Sequence, residues 1–263
     1  SGTMLETCAN LWRGSWSVWD LPHAAPGLGK GQIHLWLIDR GKLSVQDPSL
    51  VVPFSRLECK RADGFRFSRD RDRYLIGRKC LRTLLAAYLQ IQPDEVALTL
   101  GVDGKPQLEP PNPSDLEFNL THAGRFTLIA VTRGAAIGVD LEAVKPQPDP
   151  TELARNILSR REMAAFDRLP EETKLEGFYR LWTMKEAVLK ALGTGFRHDP
   201  RRLEIGITPP PVAIRQIGFV GAPQEFWTFI RLPVSEGFMA ALAVQGAGWS
   251  VEFLRMDTAH HPC

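Results

Sequence analysis

The chain has 263 residues, of which 44% are hydrophobic and 24% are charged, which is typical of a soluble globular protein with a full core. The formal charge of +2 is too small to indicate a nucleic-acid binder by itself, and no run of about 18 apolar residues suggests a membrane span. The four cysteines lie far apart without a Cys-x-x-Cys pair, so neither zinc nor disulfides are indicated and a reducing, cytoplasmic setting is expected.

The order of the predicted elements divides the chain into three parts. Residues 1–30 are predicted to be an N-terminal extension with several tryptophans; Ser1–Thr3 ahead of Met4 resembles an expression scar, and no signal peptide follows. Helices followed by runs of strands occur in both remaining parts, so we expect an N-terminal subdomain over 31–134 and a C-terminal subdomain over 135–263. The predicted fold class is α+β, with two similar α/β subdomains in one chain.

The segment Arg56–Arg82 is strongly basic. It contains ten Arg or Lys residues against four acids, a net charge of +6. Within it, Ser68 is predicted to cap a helix that runs to about Leu89. The basic side chains are commonly just a solvated helix face, but their density also makes this segment the best candidate for binding an anion.

The middle of the chain reads as strands and turns. Val96–Leu100 alternates as a strand, and the turn after it presents Lys105. Thr121 and His122 stand where a second strand reaches a turn, where a hydroxyl and an imidazolium could hold a phosphate; a single histidine there can equally be structural. The strand Phe126–Val131 then turns back into the next strand, which predicts a hairpin.

The stretch Ile137–Glu142 alternates apolar and acidic residues, as a half-buried strand does. Asp140 and Glu142 therefore point to one face, while Val139 and Leu141 point into the core. Neighbouring carboxylates repel each other unless a cation lies between them, and such oxygen pairs suit Mg²⁺. The alternative is a wet strand face that carries two acids by chance.

Two helices and a set of strands follow. Thr151 is predicted to cap a helix that extends through Phe166, and a second helix is predicted over Thr173–Leu192, ended by Gly193. Further strands are predicted at Leu203–Ile207, Val212–Ile217, Phe226–Arg231, Phe238–Val244 and Val251–Leu254.

The second of these helices carries charges at unusual positions. Lys185 falls within its apolar stripe and Glu186 lies at the border of that stripe, although charged groups are rarely buried without partners. A surface pair between Glu186 and Lys190 would explain Lys190 but not Lys185.

If the strand with Asp140 lies against the helix with Glu186, three carboxylates and two lysines meet. Such a group could hold Mg²⁺ that bridges a phosphate or pyrophosphate. The sequence has neither G-x-x-x-x-G-K-[ST] nor G-x-G-x-x-G, so a P-loop is not expected. The residues by themselves predict Mg²⁺-dependent phosphoryl chemistry.

The motif IGVDLE at 137–142, together with LWTMKEAVLK at 181–190, resembles the signature pair of 4′-phosphopantetheinyl transferases. The 44-residue separation (186 − 142) and the chain length resemble the larger Sfp-type, in which two subdomains related by a pseudo-two-fold axis share one chain. FRFSRD at 65–70, GKP at 104–106 and NLTH at 119–122 extend the resemblance over about 56–196.

The resemblance implies transfer of the phosphopantetheine arm of coenzyme A to a serine of an apo acyl or peptidyl carrier protein, releasing adenosine 3′,5′-bisphosphate. It implies a monomer that serves fatty-acid, polyketide or nonribosomal peptide synthesis. Its implied roles are as follows: Asp140, Glu142 and Glu186 bind Mg²⁺; Glu186 is also the base; Lys190 contacts the pyrophosphate with Lys185 in support; and Arg61, Lys105, Thr121 and His122 bind coenzyme A, with His122 on the 3′-phosphate.

Two positions depart from the family pattern. Thr121 replaces the commoner serine but keeps the hydroxyl, and Tyr74 stands near a coenzyme A-contacting threonine of some members.

Two other classes of function remain. A Mg²⁺-dependent hydrolase of nucleotide pyrophosphates would use the same carboxylates to activate water. A basic RNA-binding module would use Arg56–Arg82 and would bind polynucleotide with a steep salt dependence. Few aromatic residues accompany those arginines, which disfavours stacking on single strands.

Overall fold

A computed structural model describes residues 17–21, 25–47, 50, 52–101, 104–109, 115–147, 149–193, 199–206, 212–217, 225–232 and 234–258. The strands are β1 (Ser17–Leu21), β2 (Gln32–Asp39), β3 (Leu98–Leu100), β4 (Pro106–Leu108), β5 (Leu116–Ala123), β6 (Phe126–Arg133), β7 (Ile137–Ala143), β8 (Val212–Ile217), β9 (Glu225–Arg231), β10 (Phe238–Gln245) and β11 (Ser250–Thr258). The α-helices are α1 (Arg56–Asp63), α2 (Ser68–Leu89), α3 (Pro150–Arg155), α4 (Arg160–Phe166) and α5 (Glu171–Leu192). The predicted expression scar, Trp12 and Trp16 lie outside the described residues.

The strands form two main sheets. The first has the order β1-β11-β2-β6-β5, and the second has the order β7-β10-β9-β8; β3 and β4 pair separately. The second sheet is antiparallel throughout, whereas β11 runs parallel to both β1 and β2 in the first. Each sheet carries one long helix of 22 residues, α2 on the first and α5 on the second. The predicted α+β fold in two parts is confirmed.

The layers stack in the order helix, sheet, sheet, helix. Successive side chains of a strand point to opposite faces, so β2 sends alternate residues to α2 and to the second sheet. Burying each such side chain stabilises the fold by about 1.5–3 kcal/mol. The residues at the three interfaces include Trp36, Leu81 and Ile129 between α2 and the first sheet, Leu35, Leu128, Val139 and Leu242 between the two sheets, and Val188, Phe229 and Ala241 between α5 and the second sheet.

Strand pairing corrects two predictions. β11 inserts between β1 and β2, so 250–258 belong to the first sheet and not to a C-terminal subdomain over 135–263. β1, which the sequence analysis placed in an extension, is also part of that sheet. The predicted hairpin between β6 and β7 is wrong as well: β6 pairs with β5 and β2, while β7 crosses to the second sheet and pairs with β10.

Local predictions agree with the structure for the long helices and for the end of α5 at Gly193, but not for two of the predicted N-caps. The N-cap of α2 is Phe67, with no side-chain hydrogen bond, and not Ser68. The predicted helix from Thr151 to Phe166 is two helices, and the first is capped by Asp149, whose side chain accepts from two backbone N–H groups. The segment 204–206 is not a strand, and Ile207 lies outside the described residues.

Candidate active site

The site lies where the edge strands β5 and β7 of the two sheets meet. These strands are joined through side chains: Asn119 Oδ1 accepts from the backbone N–H of Val139 at 2.9 Å, and Thr121 Oγ1 accepts from that of Leu141 at 3.3 Å. All four groups are buried, so each backbone N–H needs such a partner. This junction fixes Asp140, which lies between the two bonded positions of β7.

Helix α5 lies directly on β7, and Gly138 permits that contact. A Cβ atom at Gly138 would lie 1.9 Å from the carbonyl oxygen of Ala187 and 2.6 Å from the backbone nitrogen of Ala191. Only a residue without a side chain allows so close an approach. The approach brings Glu186 and Lys190 of the helix to the carboxylates of the strand.

Asp140 is the centre of the site and is only 3% exposed. Its Oδ1 atom accepts from Lys190 Nζ at 2.5 Å and from Thr121 Oγ1 at 3.4 Å, and Lys190 Nζ also lies 3.2 Å from Thr121 Oγ1. Its Oδ2 atom is buried and has no hydrogen-bond partner among the residues that the structure describes. Burial raises the pKa of Asp140 despite the contact with Lys190.

Glu142 lies two residues further along the same face of β7. Trp182 of α5 donates from Nε1 to Glu142 Oε1 at 3.1 Å, which orients the carboxylate. Burial and then the charge of Asp140 raise the pKa of Glu142. Trp182 was not among the predicted site residues, although it belongs to the LWTMKEAVLK motif.

Glu186 of α5 is the third acid of the site, and its carboxylate interacts with the charges of Asp140 and Glu142. Burial raises the pKa of Glu186 to about 7, and repulsion from Asp140 and Glu142 adds to this effect while Lys190 opposes it. Glu186 is therefore electrostatically coupled to both strand carboxylates. It does not line the adjacent cavity, whereas Asp140, Glu142 and Lys190 do.

The donor set fits a hard divalent cation. Burial is the main cause that raises the pKa of all three acids, only Lys190 opposes all three shifts as a positive charge, and Asp140 Oδ2 is an oxygen without a partner among the described residues. Carboxylate oxygens are the ligands that Mg²⁺ takes in proteins. Within the described ranges, no three acid, histidine or cysteine side chains are already grouped closely enough to hold a metal, so these carboxylates would have to move closer together to bind one.

A cavity of about 880 Å³ opens next to these carboxylates. The predicted ligand-binding residues Arg61, Lys105, Thr121 and His122 all line it, as do Asp140, Glu142 and Lys190. The loop after β3 contributes Lys105, α1 contributes Arg61, and β5 contributes Thr121 and His122. Elements from both sheets therefore build one pocket of a size typical for small-molecule sites.

The cavity has an acidic end, formed by Asp140 and Glu142, and a basic end around His122, where Arg40 and Arg78 lie. The pKa of His122 is lowered to about 4 by burial and by the charges of Arg40, Lys190 and Arg78, so the imidazole is neutral at pH 7. The imidazolium that the sequence analysis expects beside a phosphate would therefore have to form when the anion binds. An anion bound among these cations would favour the protonated form.

Lys185 does not belong to the site, which corrects the sequence analysis. It is 0% exposed, and its Nζ atom donates to Glu162 Oε2 at 2.7 Å, to the carbonyl of Pro200 at 2.8 Å and to that of Leu203 at 2.5 Å. Glu162 Oε1 in turn accepts from the backbone N–H of Ile205. All three ammonium protons are used, so Lys185 anchors α5 to α4 and to the 200–206 segment.

Four arginines of the cavity wall were also absent from the predicted site, among them Arg82, which is paired with Glu58. Arg73 and Arg78 lie in the basic segment Arg56–Arg82, whose net charge was the available signal. Arg40 follows β2 in a short 3-10 helix and had no sequence signal, because only the fold brings it to the cavity.

A cavity lined by carboxylates and a cluster of cations is suited to an enzyme of phosphoryl chemistry. Residues 136–242 match the family described as the 4′-phosphopantetheinyl transferase superfamily, and residues 50–134 match 4′-phosphopantetheinyl transferase, N-terminal. The chain belongs to this family. The expected activity, transfer of 4′-phosphopantetheine to carrier proteins, is thereby confirmed at the level of the family.

Curated relatives agree with this assignment. The chain is 36% identical to 4′-phosphopantetheinyl transferase HetI of Nostoc sp. over 84% of its own length and 91% of the relative's. It is 34% identical to a putative 4′-phosphopantetheinyl transferase of Synechocystis sp., over 62% of this chain and 66% of that protein. L-aminoadipate-semialdehyde dehydrogenase-phosphopantetheinyl transferase of Mus musculus is 28% identical over 72% of this chain and 66% of its own. None of the helices among the described residues has the length and apolarity needed to cross a membrane.

Proposed function

We propose that the protein is an Sfp-type transferase that takes the 4′-phosphopantetheine group from coenzyme A and attaches it to a serine of apo acyl or peptidyl carrier proteins. The observation that carries the proposal is the single cavity that joins Asp140, Glu142 and Lys190 to a cluster of cations around His122. Coenzyme A has two separate anionic parts, a pyrophosphate and a 3′-phosphate. The two ends of the cavity suit these parts when a divalent cation accompanies the carboxylates.

In this proposal Asp140, Glu142 and Glu186 hold Mg²⁺ with the pyrophosphate of the donor. When bound there, the ion would supply positive charge against the negative charge that develops on the pyrophosphate. The unpartnered Asp140 Oδ2 and the raised pKa values of the three acids support this assignment.

The remaining charged residues bind the donor. Arg61, Lys105, Thr121 and His122 contact coenzyme A, with His122 near the 3′-phosphate. Lys190 Nζ, which reaches both Asp140 and Thr121, lies between the acidic and basic ends and stabilises the pyrophosphate oxygens of the leaving group.

Glu186 accepts the proton of the acceptor serine, directly or through a water molecule. The serine Oγ atom then attacks the pantetheine-side phosphorus, the bond from that phosphorus to the bridging oxygen breaks, and adenosine 3′,5′-bisphosphate leaves. Glu186 suits this role because its pKa is raised to about 7 by burial and by the charges of Asp140 and Glu142, so the carboxylate can accept a proton near neutral pH.

We also infer that the enzyme acts as a monomer in the cytoplasm. Both groups of charged residues that build the cavity come from one chain, so a second copy is not needed to complete it. Its acceptors would be carrier proteins of fatty-acid, polyketide or nonribosomal peptide synthesis.

The test is incubation with coenzyme A, Mg²⁺ and a purified apo carrier protein, followed by intact-protein mass spectrometry. The expected result is a carrier heavier by one phosphopantetheine group, an unmodified carrier when its acceptor serine is changed to Ala, and no reaction with Asp140→Asn. Hydrolysed coenzyme A in the absence of any acceptor would instead support the pyrophosphate hydrolase, and an unmodified carrier with the wild-type enzyme would contradict the proposal.

A further inference from the structure

Arg40 is a buried arginine at the basic end of the cavity. Only 6% of it is exposed, although it lines the cavity wall. Its Nη1 atom donates to the carbonyl of Arg73 at 3.3 Å, and its Nη2 atom donates to those of Gly124 at 2.9 Å and Phe126 at 3.2 Å. These three carbonyls come from α2 and from the β5–β6 turn, so the guanidinium is held from two sides and cannot turn away into solvent.

Among the described residues, the guanidinium of Arg40 makes no direct ion pair with a carboxylate. Over the described ranges, no Asp or Glu oxygen lies within ion-pair distance of it, and its buried Nε–H group has no hydrogen-bond partner. Burial and the charge of Arg73 lower the pKa of Arg40 to about 10, and the charge of the nearby Asp70 opposes them only in part. Buried charges are normally paired, because desolvation is costly and is offset only by an opposite charge. An unpaired one at a cavity wall indicates an anionic ligand.

The surroundings of Arg40 have the same sign. Arg73, Arg78 and His122 line the same region, and Asp70, which lies 4.0 Å from Arg73, is the nearby acid. Arg78 lies over the ring of Tyr74, with 5.3 Å between the guanidinium carbon and the ring centroid, and makes no ion pair within the part of the chain described here. The charges of Arg40 and Arg78 both disfavour protonation of His122, so the three groups share one electrostatic field.

We propose that Arg40 is a specificity-determining residue that makes the enzyme select donors carrying a phosphomonoester on the ribose. This inference rests on the proposed function. Arg40 acts chiefly through its fixed charge, because three carbonyl bonds hold it in place before any ligand binds and its Nε–H is buried. The contacts to the phosphate itself would come from the more exposed groups around it.

The experiment compares coenzyme A with 3′-dephospho-coenzyme A as donors, and the wild type with Arg40→Gln. The wild type is expected to prefer coenzyme A in kcat/KM. Arg40→Gln is expected to lose about tenfold of kcat/KM for coenzyme A and little for the dephospho donor, since one fixed positive charge near the phosphate is removed. Arg40→Lys, which keeps the charge, should keep most of the preference.

Arg125→Gln is the matched control. Arg125 is in the adjacent turn, is paired with Asp39 and does not line the cavity. This control should leave the preference unchanged, which separates a local charge effect from a general effect of net charge.

Two outcomes would overturn the role of Arg40. Equal losses for both donors in Arg40→Gln would show a purely structural contribution through the three carbonyls. A wild type that does not distinguish the donors would show that no phosphomonoester is selected.

Binding measurements test the role of Arg40 without requiring the proposed transfer activity. Calorimetric titration with adenosine 3′,5′-bisphosphate and with AMP needs no carrier protein. Weaker binding of the bisphosphate to Arg40→Gln, with unchanged binding of AMP, would support the inference even if no transfer were detected. Unchanged binding of the bisphosphate would contradict it even in an active transferase.

Discussion

Replacing Glu186 with Gln should abolish transfer and at the same time stabilise the metal-free protein above neutral pH. Burial and two neighbouring acids raise the pKa of Glu186 from 4.5 to about 7 in the folded protein. The ionised carboxylate is therefore less stable in the native state than in the unfolded chain. Glutamine keeps the shape of the side chain and removes its charge.

The size of the effect follows from the pKa shift. Each pKa unit corresponds to about 1.4 kcal/mol, so the shift sets an upper limit of about 3 kcal/mol. Solvent screening around this partly exposed group reduces the expected gain to about 1–2 kcal/mol. A carboxyl group whose pKa is raised by folding destabilises the protein as pH rises from the unfolded value to the folded one. The gain should therefore be absent below pH 4.5 and complete above pH 7.

The assay is urea unfolding of wild type and Glu186→Gln in EDTA, at pH 4 and pH 8, beside the transfer assay with Mg²⁺. The variant should be more stable at pH 8 only, should still bind adenosine 3′,5′-bisphosphate and should not transfer. Equal stability of the two proteins at pH 8 would refute the electrostatic reasoning. Transfer at the wild-type rate would remove Glu186 from the mechanism.

Three further predictions concern the support of the site and its charge. Lys185→Met should destabilise the fold by about 3–5 kcal/mol in urea unfolding, because it leaves Glu162 buried without its cation; unchanged stability with lost activity would instead return Lys185 to the catalytic group. Gly138→Ala should lower both the unfolding temperature and kcat, because the new methyl group would overlap the carbonyl of Ala187, and a fully active variant would show that α5 need not lie so close. The pKa of His122, measured by NMR titration, should rise from about 4 towards 6.5 when adenosine 3′,5′-bisphosphate binds, and an unchanged value would place the anion elsewhere.

The sequence predicted those parts of the fold that depend on local signals. The helix at Thr173–Leu192 agrees with α5 to within two residues, because an apolar stripe and the glycine at 193, with φ of 64°, mark it locally. Strand order is different, because it depends on partners far along the chain. The turn after Arg133 looked like a hairpin, but the chain crosses there to another sheet, and no local pattern distinguishes the two outcomes.

The candidate site likewise contains residues that local sequence patterns could predict and residues that depend on distant partners. Spacing and residue type were enough to group Asp140, Glu142 and Lys190, which the structure places together in the cavity wall. They were not enough for Lys185, because its buried partner Glu162 lies 23 residues earlier and the sequence gives no sign of the pairing. Arg40 was missed for a related reason: its importance comes from carbonyls more than 30 residues away.

The most direct test of the central claim is a crystal structure of the protein with coenzyme A and Mn²⁺, the ion being located by its anomalous scattering. The account predicts one peak within about 2.5 Å of carboxylate oxygens of Asp140, Glu142 and Glu186, with the pyrophosphate on its open side. Bound coenzyme A whose pyrophosphate lies away from these residues, or a metal peak elsewhere in the protein, would contradict it.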